Sequence, residues 1–461
     1  MTRPQLTPQR IPIETLPCLY PNAAGVDIGG AEIIVAVPPD RDSQPVRAFR
    51  TFTSDLEALV TWLLACGIDT VAMESTGIYW IPLYELLEQA GILPVLVNAQ
   101  QVRMVPGRKT DWNDAQWLQK LHMLGLLHGS FRPDAELCVL RTFLRHRAQL
   151  IEHRAPHILH MQQALKHMNI QLSVVLTDST GTTGMAILRA IVRGERDVLT
   201  LAQLRNPACK SSEEMIAKAL SGTWRHEHLF ILTQALALFD DYTAKISDCD
   251  AQIERTVAAM QSRAEPNAAL PALPAAKPNS RSKNQPSATT RAQLARITGV
   301  DLVAVTGLAA ATVQTIISEI GTDMSKFPTV KHFCSWLGLA PHNDISGGRV
   351  LRSHTLKVVN RAAQAFRMAA QSVTRSDSAF GAYFRTMRAR KGPQQAIVAT
   401  AHKIARVVYH LLKYGEAFVS EDAAEYEHKR QERELKQLTR RAKKLGYNLV
   451  PQVAPPPVPA T

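Results

Sequence analysis

The sequence predicts a multidomain protein of the α/β plus α class, and three observations carry that reading. The first third alternates short apolar strands with amphipathic helices. The middle repeats apolar residues at three- and four-residue spacing without strand signals. A proline-rich stretch then sets off a second, mostly helical part. At 461 residues the chain has room for two or three separate cores.

The elements follow in order. "AAGVDIGGAEIIVAVPP" reads as a strand pair turning at Gly29 and Gly30, and "DLEALVTWLLACG" as a helix with Leu56, Leu59, Leu63 and Leu64 on one face. "TVAMEST" is a short strand, "IPLYELLEQAG" a helix closed by Gly91, and "LPVLVNA" another strand. This β-β-α-β-α-β rhythm sets an α/β domain at residues 22–135. Residues 136–262 read as long helices, antiparallel or coiled-coil partners, with a kink expected at Pro156. The bland reading of that block, a helical spacer or dimerisation arm, is the preferred one. Five prolines in "EPNAALPALPAAKPNSRSKNQPSATT" make 263–291 a flexible linker. Residues 292–420 form the second domain, and 421–461 a basic helix with a disordered, proline-rich end.

Charge narrows the function. The net charge is +13 with a pI near 9.6, which suits a polyanionic partner, nucleic acid before a membrane surface. From Pro341 to His410 there are twelve Arg and Lys against Asp344 and Asp377, whereas a merely solvated face mixes both signs. No apolar run reaches membrane-spanning length, and "MTRPQLTPQRIPIETLPCLY" lacks the apolar core of a signal peptide. Six scattered cysteines show no zinc spacing and suit a reduced cytoplasmic interior.

The chemistry concentrates in carboxylates. Asp27 lies on the first strand, Glu74 ends a later one, and Asp111 and Asp114 open a helix behind Arg108 and Lys109. Two acids at i and i+3 repel, and a plain helix N-terminus would tolerate them. An ordered set of four suits divalent metal better, since a hard cation with oxygen ligands cancels their repulsion. A pair of such ions can stabilise both the attacking and the leaving oxygen of a phosphodiester.

"GVDIG", "MESTGIYWIPLYELLE", "LVNAQQVRMVPGRKTDWNDAQWL" and "LLHGSFRPDAEL" closely resemble the RuvC-like, ribonuclease-H-like domain of the DEDD transposases of bacterial insertion sequences. Pilin-gene invertases are relatives, and some members are bridge-RNA-guided recombinases. The resemblance implies that Asp27, Glu74, Asp111 and Asp114 bind Mg²⁺ or Mn²⁺. It extends to "RITGVDLVAVTGLAAATVQTIISEIG", similar to the family's helix-hairpin-helix-like segment, and to "APHNDISGGRVLRSHTLKVVNRAAQAFR". Ser346 matches the family's serine nucleophile. Gly347 and Gly348 leave room for a DNA backbone, and Arg349, Arg352, Lys357, Arg361 and Arg367 supply charge to phosphate. His342 and His354 are candidate bases, with metal-bound hydroxide or a carboxylate of the DEDD set equally open. Where many relatives continue Ser-Gly-Gly with Lys and Gly, this chain has Arg349 and then Arg352-Ser353.

The expected function is a transposase that cuts and rejoins double-stranded donor and target DNA through a phosphoserine. A structured bridge RNA guides it, in a dimer or, in the synaptic complex, a tetramer, on the nucleoid of a bacterial cytoplasm. The resemblance also implies a composite site with acids and serine from different subunits. Three other readings compete: a metal-only nuclease or junction resolvase, a sugar-kinase or actin-like ATPase suggested by "GVDIGG", and a non-catalytic nucleic-acid scaffold.

Overall fold

The computed structural model describes residues 17–74, 77–98, 111–263, 284–287, 289–355, 360–415 and 423–449. The chain divides into two compact units, residues 1–132 and 133–461.

In the first unit, β1 (Ala23–Ile28), β2 (Glu32–Ala36) and β3 (Val46–Arg50) form an antiparallel meander. Helix α1 (Thr53–Ala65) leads to β4 (Thr70–Glu74), α2 (Trp80–Gln89) to β5 (Leu93–Val97), and α3 (Asp111–Met123) follows. The sheet order is β3-β2-β1-β4-β5, with β4 parallel to both β1 and β5. This mixed sheet is consistent with a RuvC-like transposase domain.

Strand alternation sorts the two faces. Val26, Ile33, Val35, Val71, Met73 and Leu96 point into a core shared with Leu56, Leu59 and Leu63 of α1 and Leu83 and Leu87 of α2. The opposite face carries α3. Two expectations need correction here. β3 is an additional strand, hidden because Arg47 and Arg50 give it no clean apolar alternation. Leu64 is half exposed, because the helical phase that buries Leu56, Leu59 and Leu63 turns it to solvent.

The second unit begins with an antiparallel pair of long helices, α4 (Ala135–His167) and α9 (His226–Ala259). Arg147 pairs with Asp250, Arg154 donates to Thr243 and the His167 ring stacks on His228, so ascending positions on one helix meet descending positions on the other. Helix α4 continues through Pro156. Between the pair lie α5 (Leu172–Val175), α6 (Thr182–Val192), α7 (Val198–Gln203) and α8 (Glu213–Leu220). They share a core of Leu172, Ile187, Leu188, Leu201, Ile216 and Leu220 with the adjoining ends of α4 and α9, a module not anticipated from sequence.

Next come α10 (Thr290–Thr298), α11 (Ala310–Ile320), α12 (Val330–Trp336), β6 (Pro341–Ser346), β7 (Arg349–Thr355), α13 (Arg361–Ser372), α14 (Ala379–Lys391), α15 (Pro393–Tyr414) and α16 (Ala423–Lys444). Phe333, Phe366 and Tyr409 centre this core, and the buried Tyr409 hydroxyl donates to the Phe327 carbonyl at 2.9 Å. Side chains weld the long helices to it. Glu319, nearly buried on α11, accepts two hydrogen bonds at 2.9 Å and one at 3.0 Å from Arg145. Arg296 on α10 donates to the carbonyls of Val257, Ala258 and Met260, capping α9.

Two predictions follow from the first unit. A Cβ on Gly25 would lie 2.2 Å from the Gln119 nitrogen and 2.4 Å from the Ala115 oxygen, backbone atoms that cannot swing aside. Gly25→Ala is expected to cost at least the upper end of roughly 1–3 kcal/mol, seen as a lowered Tm. Asp42 accepts from the Trp62 indole at 2.8 Å, the Gln44 amide at 2.7 Å and Arg47 at 2.8 Å, which hold its carboxyl down to about 2. Its folded pKa lies below its unfolded value, about 3.9. The stability it contributes is therefore present above about pH 4 and lost as the pH falls through 2. Asp42→Asn should flatten this acid limb in denaturant titrations.

Candidate active site

Asp27 and Glu74 come together through register. β1 and β4 pair in parallel with Val26 opposite Met73, so Asp27 and Glu74 form the next pair at the carboxyl ends of adjacent strands. Neighbouring strands lie about 4.8 Å apart and paired side chains share a face. Val26 and Met73 point into the α1–α2 core, so the two acids point to the opposite face. Four residues back along β4, on that same face, the Thr70 hydroxyl is 2.8 Å from His122 Nε2 on α3. Both carboxylates are half-buried.

Helix α3 delivers the other two acids. Its Gln119 side chain donates to the Ala23 carbonyl at 3.2 Å, and its backbone touches β1 at Gly25 through Ala115 and Gln119. The helix therefore runs antiparallel to β1. From Ala115 back to Asp111 is about 6 Å of helix, and from Gly25 on to Asp27 is about 7 Å of strand. The first turn of α3, with Asp111 and Asp114, thus comes level with Asp27. Asp114 is half-buried there; the Asp111 side chain, like Arg108, Lys109 and Lys357, lies outside the described residues. Among the described residues, no three acids, histidines or cysteines form a group able to hold a metal ion. The donor chemistry itself, carboxylate oxygens brought to one end of one sheet face, fits a hard divalent cation.

Ser346 occupies a different setting. It ends β6 and pairs with Arg349 across the two-residue turn Gly347-Gly348, with φ of 55° and 76°. Positive φ at both central positions defines the turn that joins twisted strands in a hairpin, and glycine adopts it without strain. The second domain is mostly helical, as expected, and this hairpin is its two-stranded exception among the described residues. Ser346, Arg349 and Arg352 are all exposed, and Arg352 lies opposite Asp344. His342 and His354 face one another with ring centroids 5.5 Å apart. They sit four strand positions from Ser346, about 13 Å along the ribbon, so neither can take its proton within the hairpin.

Helix α13 carries the remaining predicted cations. Asn360 caps it by accepting the Ala363 amide at 3.2 Å. Arg361 in its first turn lines a cavity of about 500 Å³ with Arg145, Glu319, Gln364 and Met368. Arg367 is half-buried. Sequence reasoning did not single out Gly25, although the signal was present: it lies two residues before Asp27, hence on the same face, where a helix must approach. It also overlooked the exposed aromatics Tyr79 and Trp112. The Tyr79 ring stands 3.9 Å from where a Cβ on Gly30 would be, just past Asp27, and Trp112 lies between the two helical acids.

Acids registered on such a sheet, joined in one chain to an arginine-rich helical unit, define a nucleic-acid-processing enzyme. Comparison with known families says which. Residues 24–170 match the DEDD transposase family of IS110 type, and residues 292–385 match the transposase family IS116/IS110/IS902. The chain carries both domains of the IS110-family transposases, which cut and rejoin DNA in the movement of insertion sequences. The kinase-like reading of "GVDIGG" and the non-catalytic scaffold give way to this assignment. No curated protein matches the chain. Among the described residues, no helix is long and apolar enough to cross a membrane.

The turn yields a prediction. Gly347→Val forces a β-branched residue to positive φ, a local cost of roughly 1–2 kcal/mol. Because the hairpin is exposed throughout, Tm should stay within a degree or two while DNA cleavage falls at least tenfold, as read on a sequencing gel.

Proposed function

We propose that this transposase joins DNA through a covalent phosphoserine on Ser346, with Asp27, Glu74, Asp111 and Asp114 as the metal-binding set. The observation that carries the reading is the convergence of Asp27, Glu74 and the first turn of α3 at one end of one sheet face. A divalent cation held there would offset the charge that develops on phosphate oxygens.

The rest is the work of the chain's own groups. Ser346 Oγ attacks the scissile phosphorus; the Oγ–P bond forms as the bond to the leaving DNA hydroxyl oxygen breaks, and that oxygen takes up a proton. The serine proton passes to a base outside the ribbon's two histidines. In the second step a DNA hydroxyl attacks the same phosphorus and Ser346 leaves, recovering its proton. The phosphodiester's energy is kept in the serine ester, so rejoining needs no nucleotide cofactor. Arg349 and Arg352, exposed on the ribbon, supply charge for the phosphate. The glycine turn leaves Ser346 open to a bulky duplex backbone.

A structured guide RNA fits the remaining charge. The chain carries +13, and α16 is rich in Lys and Arg over Arg430–Lys444, a surface suited to RNA backbone and shape. Assembly as a dimer or tetramer would let the acids of one copy serve the serine of another, in the bacterial cytoplasm on nucleoid DNA.

Covalent trapping tests the mechanism. Protein purified with its bound RNA is mixed with Mg²⁺ and end-labelled, nicked donor and target DNA, then run on a denaturing gel. Wild type should give a protein–DNA band that Ser346→Ala and Asp111→Ala both lose. Cleavage without that band, persisting in Ser346→Ala, would leave a metal-only nuclease.

A further inference from the structure

The ribbon β6–β7 has a feature that the serine chemistry does not use. Neither strand has a buried residue, and Ile345, Val350 and Leu351 are 63%, 55% and 71% exposed. An isolated two-stranded hairpin is marginal in water, and apolar side chains in this position gain nothing until something covers them.

Register shows how the side chains are distributed. Cross-strand partners share a face, so Ser346 with Arg349, Asp344 with Arg352 and His342 with His354 form one polar face. Ile345 and Val350 pair with each other on the opposite face, one position from the tip. The register shifts between Asp344 and Ile345, leaving Leu351 as the extra residue of a bulge that twists the tip relative to the base. The ribbon is thus a tip with arginine on one side and an apolar pair on the other, immediately behind Ser346.

This charge distribution suits duplex DNA. A two-stranded ribbon is narrow enough to enter a groove. Arginines at the tip meet phosphate, and apolar side chains such as Ile and Leu inserted at a base step unstack it. We infer that the ribbon enters the duplex tip first, with Ile345 and Val350 wedged against the base step beside the cleaved phosphate, opening it. The inference rests on the reading of Ser346 as the residue at that phosphate, and adds the DNA distortion that brings the phosphate to it. It also explains why the apolar pair is exposed in the free protein.

The test uses 2-aminopurine, whose fluorescence rises on unstacking, placed next to the cleavage position in a donor duplex from the element's own end. The whole protein with its bound RNA is added as wild type, Ser346→Ala, Ile345→Ser/Val350→Ser and Ile345→Val. Wild type, Ser346→Ala and Ile345→Val should each raise the signal several-fold, and the double serine variant should not, with Tm and sedimentation unchanged. Arg349→Ala should instead lower the salt dependence of binding by about one unit of slope. The inference is overturned if wild type gives no rise or if the double serine variant gives the same rise. It is equally overturned if that variant alters the oligomeric state, since the apolar pair would then cover a second copy of the chain. A rise in wild type without a covalent band in the trapping experiment would leave the wedge standing and remove the nucleophile.

Discussion

The first unit depends on one close approach, the backbone of α3 lying on β1 at Gly25. Side chains normally hold a helix backbone off a strand; at Gly25 there is none, and the Gln119 nitrogen and Ala115 oxygen come within 2.2 and 2.4 Å of where a Cβ would lie. The contact fixes the height of the helix along the strand, and the Gln119 bond to Ala23 and the His122 contact with Thr70 fix its direction. Asp111 and Asp114 are then placed by helical rise alone, and Asp27 and Glu74 by strand pairing alone. Strand pairing and helical rise, rather than mutual attraction, bring these positions to one end of the sheet face. Under the proposed function, that backbone geometry would hold the carboxylates in place before a cation binds.

The second unit obeys a different constraint. Its long helices are fastened to the domain bearing Ser346 by arginines, Arg145 exposed and Arg147, Arg154 and Arg296 half-buried, each satisfied by carboxylate or carbonyl oxygen. Arg145 forks onto Glu319, Arg296 closes the carbonyl end of α9, and Arg147 and Arg154 both reach Asn284 near the end of the proline-rich stretch. A planar guanidinium carries five donors in a fixed fork, which meets a carboxylate or several carbonyls in a set geometry that lysine does not impose. Removing Arg145 would leave the buried Glu319 carboxylate with Arg141 at 3.7 Å in place of three short hydrogen bonds, so the joint depends on this pairing. Residues 263 and 284 are both pinned to the same unit, and the length of chain between them has little effect on stability, because closure entropy grows only logarithmically with loop length.

How much of this was legible in the sequence depends on how local the signal was. The positions of Asp27 and Glu74 on β1 and β4 and the onset of α3 at Asp111 were readable because strand alternation and helix onset are local. The meander's outer strand was not: Val46–Arg50 is an edge strand, half exposed on both faces, without the contrast that periodicity needs. The α5–α8 module was invisible because its helices are short and their apolar residues meet only across turns. The ribbon is the instructive miss. Gly-Gly between Ile345 and Val350 is a hairpin signal, but the flanks "HNDIS" and "RVLRSH" show no apolar face, since no core receives one. Sequence patterns report burial, and a ribbon without a buried residue has none to report.

That contrast bears on the division of work proposed for Ser346 and the acids. The acids stand on a five-stranded sheet with cores on either side of it, so their geometry exists before substrate arrives. Ser346 stands on two strands with no buried residue, joined over six paired positions. If Ser346 is the nucleophile we propose and the ribbon enters DNA as inferred, its surroundings would be completed only when DNA covers Ile345, Val350 and Leu351, so the serine would be set for attack when a duplex is present. Part of the binding energy would then go into ordering the ribbon, lowering affinity for any DNA that cannot fill both faces. On that reading selectivity would follow, because a sequence whose base step resists opening would leave the apolar pair exposed and the arginines short of their phosphate.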